Sequence, residues 1–353
     1  MSRKSRKSGQ RQGRRPVNPA PTQTTPIQVA SPQSQSPPDD KPQLLPLIQA
    51  LEHARRTRVL VYWLSDLARM SEPVVAPLYD QLSRIGRQSA LDLYLFTRGG
   101  DTEVPWRLVT LIREFCDRFA VLVAYRAHSA GTVLAMGANE IVMTALGVLS
   151  PIDPSRTHPL LPRREGAAEA EPISVQDMRH AMRFIRETAA PGADTPYTPD
   201  AMAEIVTALF EKIHPLAIGA IEQSYALAKL VAARCLGTHM DPEGGRERIQ
   251  GIVDKLCDAY MSHNYQINRN EAREIGLKAI DAPPDVDKAM MDLLKFYLGR
   301  SLGLPSQPLR QGQVLKLHIA WLDSTDLQMR VEASYEVGPE NQMKVTGDRW
   351  VPY

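Results

Sequence analysis

A single serine stands in a turn built of small residues. Ser129 is set in the segment 127–132 (AHSAGT), which follows the apolar run 119–124 (FAVLVA). An apolar run that leads through small residues into a helical pattern favours a sharp strand-to-helix turn, where the hydroxyl is exposed and the first N–H groups of the helix point at the same place. The sequence therefore predicts that Ser129 is a nucleophile.

A pair of glycines ends the preceding apolar run. Gly99 and Gly100 follow the segment 91–96 (LDLYLF). Because glycine has no side chain to obstruct a backbone N–H, this pair could form an oxyanion hole with the N–H of Ala130. Each feature by itself is more commonly a plain turn or a packing position. Consecutive strand–helix units open their loops at one edge of a parallel sheet, so the order of the two features predicts an acyl-transfer site.

Several segments resemble the serine dehydrogenase proteinase family, a branch of the Clp-protease/crotonase superfamily that is related to signal peptide peptidase A. The resemblance spans residues 50–285, and its specific segments are 127–132 and 146–154 (LGVLSPIDP). Supporting segments are 97–101, 139–143, 211–220 and 262–267. The resemblance implies an α/β fold of the Clp/crotonase type, with a mostly parallel sheet and flanking helices. It also implies a serine peptidase that cleaves peptide or protein substrates through an acyl-enzyme at Ser129.

Two regions of the chain offer a candidate for the general base that would activate Ser129. Clp-type proteases carry this histidine in the strand after the nucleophile helix, where the present chain has Pro151. His263 is favoured, because it precedes a segment that resembles the one after the third triad position of Clp-type enzymes. Lys212, with its neighbour His214, is the alternative, since signal peptide peptidase A uses a serine–lysine dyad and a buried lysine can act as a base.

Two carboxylates are candidates for orienting the base. Asp153 and Asp101 lie in the loops expected beside Ser129, although a loop aspartate is more commonly a turn residue or a helix cap. His128 is adjacent to Ser129 in the chain. Consecutive side chains diverge on a tight turn, so we expect His128 to have a structural or oxyanion-side role.

Composition narrows the chemistry further. The net charge of +2 over 353 residues excludes a strong polyanion-binding field over the whole molecule. The basic excess lies in the first fifteen residues. This run could contact nucleic acid or anionic lipid, but a solvated flexible tail is favoured. The three cysteines, Cys116, Cys235 and Cys257, lack metal-site spacing, which predicts a reducing compartment and no metal. The motif GxxxxGK[ST] does not occur, so we expect an ATP-independent protein with no cofactor.

The chain is predicted to have three parts. Residues 1–43 are rich in Pro, Gln, Ser and Arg and are predicted to be a disordered basic tail. Residues 44–303 form the α/β domain, with a mobile loop at 155–172, and 304–353 form a small β-rich extension. No window reaches the ~18–20 uninterrupted apolar residues that cross a bilayer, so we expect a cytoplasmic protein without a transmembrane segment. We also expect a homo-oligomer.

Two other functional classes are compatible with these patterns. A crotonase-like acyl-CoA enzyme would use the two oxyanion loops for an enolate and would not need Ser129. A proteolytically inactive scaffold or oligomerisation protein is favoured by the missing histidine at Pro151. A fluorophosphonate probe separates the peptidase from both, because it reacts only with an activated serine.

Overall fold

The computed structural model describes residues 41–156, 173–189, 198–240, 245–260, 262–301, 309–339 and 342–353. The predicted disordered tail lies outside the described residues except for 41–43, which begin the first helix. The predicted mobile loop also lies outside them except for Ser155 and Arg156, which form a short strand.

The described residues form helices and strands that alternate over the first half of the chain. The helices are α1 Lys41–Arg55, α2 Val75–Ile85, α3 Val104–Phe115, α4 Ala130–Met136, α5 Val175–Ala189, α6 Pro199–Lys212, α7 Pro215–Gly237, α8 Arg246–Asp258, α9 Arg269–Ile275 and α10 Pro284–Ser301, with a short 3-10 helix at Glu72–Val74. The strands are β1 Arg58–Leu64, β2 Gln88–Phe96, β3 Cys116–Val123, β4 Arg126–Ala127, β5 Glu140–Met143, β6 Val148–Leu149, β7 Ser155–Arg156, β8 Ile173–Ser174, β9 Ile267–Asn268, β10 Ala279–Asp281, β11 Val314–Asp323, β12 Gln328–Val337 and β13 Met343–Pro352.

Eight strands form one large sheet in the order β10-β5-β3-β2-β1-β11-β12-β13. The first five run parallel to one another. The last three are antiparallel, because β11 pairs with β1 through Trp63 and Trp321 and the following strands return as hairpins. The α/β class with flanking helices is therefore confirmed, and the expectation of a mostly parallel sheet is corrected to a mixed sheet.

Helices cover both faces of the sheet. On one face, α1 packs against α10, and Trp63 of β1 stacks on Phe96 of β2 with ring centroids 3.7 Å apart. On the other face, α2, α3, α4, α7 and α8 contribute to the larger core. In α2, Leu78, Leu82 and Ile85 recur at helical spacing and are buried. Strands buried on both faces explain the continuous apolar runs of the sequence.

Helix α7 is long and apolar enough to span a bilayer by length and composition alone, and the described residues contain one such helix. No such stretch was predicted, because the prediction required an uninterrupted apolar run. Helix α7 is interrupted by Glu222, Lys229 and Arg234. Helix α7 packs against α3, α4, α5 and α8 and buries Ile221 and Tyr225. Core helices of globular domains have the same length and composition.

Candidate active site

Three loops meet at the carboxyl ends of the parallel strands. Gly100 forms a parallel bridge with Met70, and Thr97 forms one with Ala127. The Met70 N–H donates to the Gly99 carbonyl at 2.8 Å, and the His128 N–H donates to the Thr97 carbonyl at 3.1 Å. The bridged residues follow neighbouring strands, so the loops pair with one another in the same order as the strands do. This pairing holds the glycine pair beside Ser129.

Ser129 has a backbone conformation that is unusual for a residue with a side chain. Its φ is +51° and its ψ is −115°, and it directly precedes α4. Residues in sparsely populated regions of this kind cost about 1–3 kcal/mol and persist where the surroundings impose them. A strained turn between a strand and a helix is the geometry that exposes a nucleophilic hydroxyl.

Ser150 holds this strained turn in place. The Ser129 N–H donates to Ser150 Oγ at 2.7 Å. The Ser150 N–H donates in turn to Thr132 Oγ1 at 3.1 Å, in the first turn of α4. Both side chains are buried. Ser150 was not among the predicted site residues. The signal that could have identified it is a polar residue between the apolar residues of the segment 146–154.

Gly99 packs closely against Ser129. A Cβ at position 99 would lie 2.7 Å from Ser129 Cβ and 2.9 Å from the His128 carbonyl oxygen. Its φ of +107° also favours glycine. The Gly99 N–H donates to Thr97 Oγ1 at 2.9 Å, so this amide is already used within the loop.

Two other N–H groups near Ser129 have no hydrogen-bond partner within the described ranges. Met70 donates to the Gly99 carbonyl and accepts the Asp101 N–H, and these two residues flank Gly100. In a parallel bridge of this kind, the N–H of the residue between them, Gly100, points away from Met70. The Ala130 N–H belongs to the first residue of α4, where helix donors lack an intrahelical acceptor. These two amides can bind a negatively charged oxygen.

His263 and Asp153 lie in the same cavity as Ser129. The cavity has a volume of about 760 Å³, and its lining includes Ser129, His263, Asp153 and both glycines. His263 Nδ1 is 3.8 Å from Asp153 Oδ2, which is an ion-pair distance and too long for a hydrogen bond. Asp153 is buried, and its Oδ1 accepts the Gln176 N–H at 3.2 Å.

The remaining predicted residues have different positions. Asp101 is exposed and also lines the cavity. Lys212 is an exposed residue at the end of α6 and does not line the cavity. His214 is exposed at the start of α7, where its Nδ1 caps the helix by accepting the Leu216 N–H at 3.2 Å. The structure thus brings His263 and Asp153 to the cavity of Ser129, and it does not bring Lys212 or His214 there.

His128 is a neutral imidazole next to the nucleophile. Burial, together with the nearby charges of Arg126 and His263, lowers the pKa of His128 to about 4. Its Nε2 atom is buried and has no hydrogen-bond partner among the residues that the structure describes. A group with this pKa is uncharged at neutral pH and is a weak base, which fits the structural role expected of it.

The three cysteines are not competing nucleophiles. All three are buried and form no disulfide. Burial raises the pKa of Cys116 to about 11 and those of Cys235 and Cys257 to about 12. They are therefore protonated thiols at neutral pH, and the thiolate is the reactive form.

Two curated proteins of Methanocaldococcus jannaschii are similar to this chain. The uncharacterized proteins MJ0137 and MJ1495 are 21% and 20% identical to it over 225 and 207 residues. These alignments cover 64% and 59% of this chain. The chain spans 62% and 56% of the relatives, which is less than two thirds of their length. No family model matches the chain.

Solved structures that resemble the chain include three proteases. A variant of the 1510-N membrane-bound stomatin-specific protease has a TM-score of 0.34 and 16% identity, over 64% of this chain and 80% of its own. ClpP1 from Listeria monocytogenes has a TM-score of 0.32 and 14% identity, over 68% and 99%. The ClpP catalytic domain from Plasmodium falciparum has a TM-score of 0.33 and 12% identity, over 66% and 89%. These scores are too low to transfer any residue's role to this chain.

Proposed function

We propose that this protein is an ATP-independent serine peptidase of the Clp/crotonase type, which cleaves peptide bonds through an acyl-enzyme at Ser129. One observation carries the proposal: Ser129, His263, Asp153 and Gly100 line a single cavity, and the N–H groups of Gly100 and Ala130 are unpaired within the described residues. A nucleophile, a base, a carboxylate and an oxyanion hole are the parts that acyl transfer requires.

The first half of the reaction forms the acyl-enzyme. Ser129 Oγ attacks the carbonyl carbon of the scissile peptide bond, and His263 takes the hydroxyl proton. The Gly100 and Ala130 N–H groups donate to the resulting oxyanion. His263 then gives its proton to the amine nitrogen as the carbon–nitrogen bond breaks. Preorganised donors of this kind supply a large part of the rate, since each is worth about 3 kcal/mol.

The second half releases the product. A water molecule loses a proton to His263 and attacks the acyl carbon, and the same two amides stabilise the second oxyanion. His263 then returns the proton to Ser129 Oγ as the ester bond breaks, so the enzyme is restored and one water is consumed. Asp153 faces Nδ1 of His263, which leaves Nε2 to exchange protons with the serine.

The distance from His263 to Asp153 shortens in this proposal when substrate binds. His263 lies in the segment between α8 and β9, and 42% of its side chain is exposed. Catalytic hydrogen bonds are commonly long in the absence of substrate and tighten in the complex. A peptide in the cavity would cover the imidazole and exclude water from the pair.

The proposal extends to the substrate, the cellular compartment and the oligomeric state of the peptidase. The proposed substrate is a peptide or a protein, in keeping with the chemistry assigned to Ser129. We place the enzyme in the cytoplasm as a homo-oligomer without a cofactor. The basic segment before residue 43 is proposed to be dispensable for catalysis.

A fluorophosphonate probe tests the proposal. The wild-type protein should be labelled, and the Ser129→Ala variant should not, although it should have an unchanged melting temperature. Hydrolysis of an unstructured peptide should be lost in parallel, by several orders of magnitude. A wild-type protein that is neither labelled nor active on peptides would favour the inactive scaffold or the acyl-CoA enzyme.

A further inference from the structure

One buried glutamine connects two parts of the candidate active site. Gln176 is the second residue of α5, and it is 7% exposed. Its backbone N–H donates to Asp153 Oδ1 at 3.2 Å, and its side-chain Nε2 donates to the Cys257 carbonyl at 2.9 Å. Gln176 does not line the active-site cavity, so a substrate bound there does not touch it.

The first of these hydrogen bonds holds the carboxylate. The Gln176 N–H lies in the first turn of α5, where helix donors lack an intrahelical acceptor, and Asp153 supplies the acceptor. A helix N-terminus also favours a negatively charged acceptor. Because Oδ1 is directed at the helix, Oδ2 is the oxygen that faces His263 Nδ1, at 3.8 Å.

The second hydrogen bond holds the end of the helix that leads to the base. Cys257 lies in the last turn of α8, where carbonyls lack an intrahelical donor, and the chain continues from there to His263. The Ile152 N–H donates to the neighbouring carbonyl, that of Leu256, at 3.0 Å. The loop that carries Asp153 is therefore joined to the end of α8 by its own backbone as well as through the glutamine.

We infer that Gln176 is a positioning residue, which sets the separation between Asp153 and His263. The inference rests on the proposed peptidase function. Gln176 holds the carboxylate with its backbone and the segment of the base with its side chain, so the two hydrogen bonds fix one relative to the other. Loss of the side-chain amide leaves the buried Cys257 carbonyl without this donor, and the end of α8 can then shift while Asp153 stays in place. A displacement of about 1 Å in a catalytic pair is enough to slow the reaction greatly.

The Gln176→Met variant tests the inference, because methionine keeps the length of the side chain and the backbone N–H but cannot donate from its side chain. We expect kcat for an unstructured peptide to fall at least tenfold and KM to change by less than about twofold. Gln250→Met is the matched control. Gln250 is an exposed residue of α8 whose Nε2 donates to Asp254 Oδ1 at 2.8 Å, and its variant should have wild-type kinetics.

A double variant separates positioning from a general loss of structure. If Gln176 acts through Asp153, adding Gln176→Met to Asp153→Asn should reduce kcat no further than Asp153→Asn does alone. The Gln176→Asn variant keeps the amide on a shorter side chain and should show a smaller loss of kcat in the same direction. Fully additive losses in the double variant would overturn the inference.

A readout that needs no catalysis distinguishes the inference from the peptidase proposal. In full-length Ser129→Ala protein with isotope-labelled histidine, NMR spectroscopy reports the two imidazole tautomers of His263, whose signals are assigned with His263→Asn. A carboxylate that faces Nδ1 favours a proton on that nitrogen, so Gln176→Met should change the tautomer ratio and Gln250→Met should not. Unchanged His263 signals in folded Gln176→Met or Gln176→Asn protein would overturn the inference. A changed ratio in a protein whose Ser129 is never labelled by a fluorophosphonate would support the role of Gln176 and reject the peptidase.

Discussion

A Cβ atom at position 99 would lie 2.7 Å from the Cβ of Ser129, closer than side-chain carbons approach one another in proteins. The backbone of Gly99 thus packs directly against the side chain of Ser129. This contact and the hydrogen bond from the Ser129 N–H to Ser150 Oγ both restrain the turn. The geometry of Ser129 therefore depends on residues that have no part in the proposed proton transfer.

Substitution of Gly99 by alanine should displace the nucleophile. The new methyl group meets Ser129 Cβ and the His128 carbonyl, and the φ of +107° is strained for alanine. We expect a loss of about 1–3 kcal/mol in the free energy of unfolding and a larger loss of activity. Chemical denaturation and the rate of fluorophosphonate labelling measure the two effects.

Gly219→Ala is the matched control for this substitution. Gly219 lies in α7, and a Cβ there would meet nothing within 4 Å. Alanine in place of glycine inside a helix stabilises by about 0.5–1 kcal/mol, so activity should be retained. Wild-type labelling in Gly99→Ala would show that the close contact does not position Ser129.

Asp153 and Asp101 can be distinguished as partners of the base. Asp153→Asn keeps the shape of the side chain and removes the charge that faces His263 Nδ1, so kcat should fall by about 10²–10⁴. Asp101→Asn changes a carboxylate in the same cavity that makes no contact of this kind, so its effect on kcat should be below tenfold. Steady-state kinetics on one peptide compare them. A larger loss in Asp101→Asn would reverse the assignment.

Asp323 should make the stability of the fold depend on pH. It is fully buried, and it accepts hydrogen bonds from the Tyr297 hydroxyl at 2.6 Å and the Tyr353 hydroxyl at 3.0 Å. Burial raises its pKa from 3.8 to about 7. The folded state therefore binds this proton more tightly than the unfolded state, and the stabilisation that results is complete below about pH 4 and is lost as the pH rises through about 7.

The Asp323→Asn variant tests this dependence, since an amide does not ionise. The decrease in melting temperature between pH 5 and pH 8 should be smaller in Asp323→Asn than in the wild type. Asp326→Asn is the control, because Asp326 is an exposed partner of Arg58 on the same hairpin. Equal pH dependence in Asp323→Asn and the wild type would contradict the assignment.

The sequence predicted the buried elements well, because their patterns are local. The apolar runs 91–96 and 119–124 lie largely within β2 Gln88–Phe96 and β3 Cys116–Val123. The turn of small residues at Ser129 leads directly into helix α4, as predicted. Turn chemistry and short-range periodicity are sufficient for features of this kind.

The mixed sheet could not be predicted in the same way. The pairing of β11 with β1 joins residues far apart in the chain, such as Val61 and Asp323, and no local pattern records it. Strand β13 lies within the predicted β-rich extension 304–353, but its own bounds were not predicted. It is an edge strand whose residues are largely exposed on both faces, so it lacks the alternation of apolar and polar residues that marks a half-buried strand.

The candidate site was predictable where it depends on neighbouring strand–helix units. Gly99, Gly100 and Ser129 follow consecutive parallel strands, and the topology brings their loops together. The selection between His263 and Lys212 depends on how the helical second half folds over the sheet edge. That arrangement is determined by packing between residues far apart in the chain. The structure shows that His263 lines the cavity and that Lys212 does not.

The most direct test of the account is the rate at which a fluorophosphonate labels Ser129 in the wild type, His263→Ala and Lys212→Met. If His263 activates Ser129, the His263→Ala variant should react at least 10²-fold more slowly, and the wild-type rate should fall on acidification because a protonated imidazole cannot act as a base. Lys212→Met should react at the wild-type rate. Wild-type labelling in His263→Ala, or loss of labelling in Lys212→Met, would contradict the proposed site.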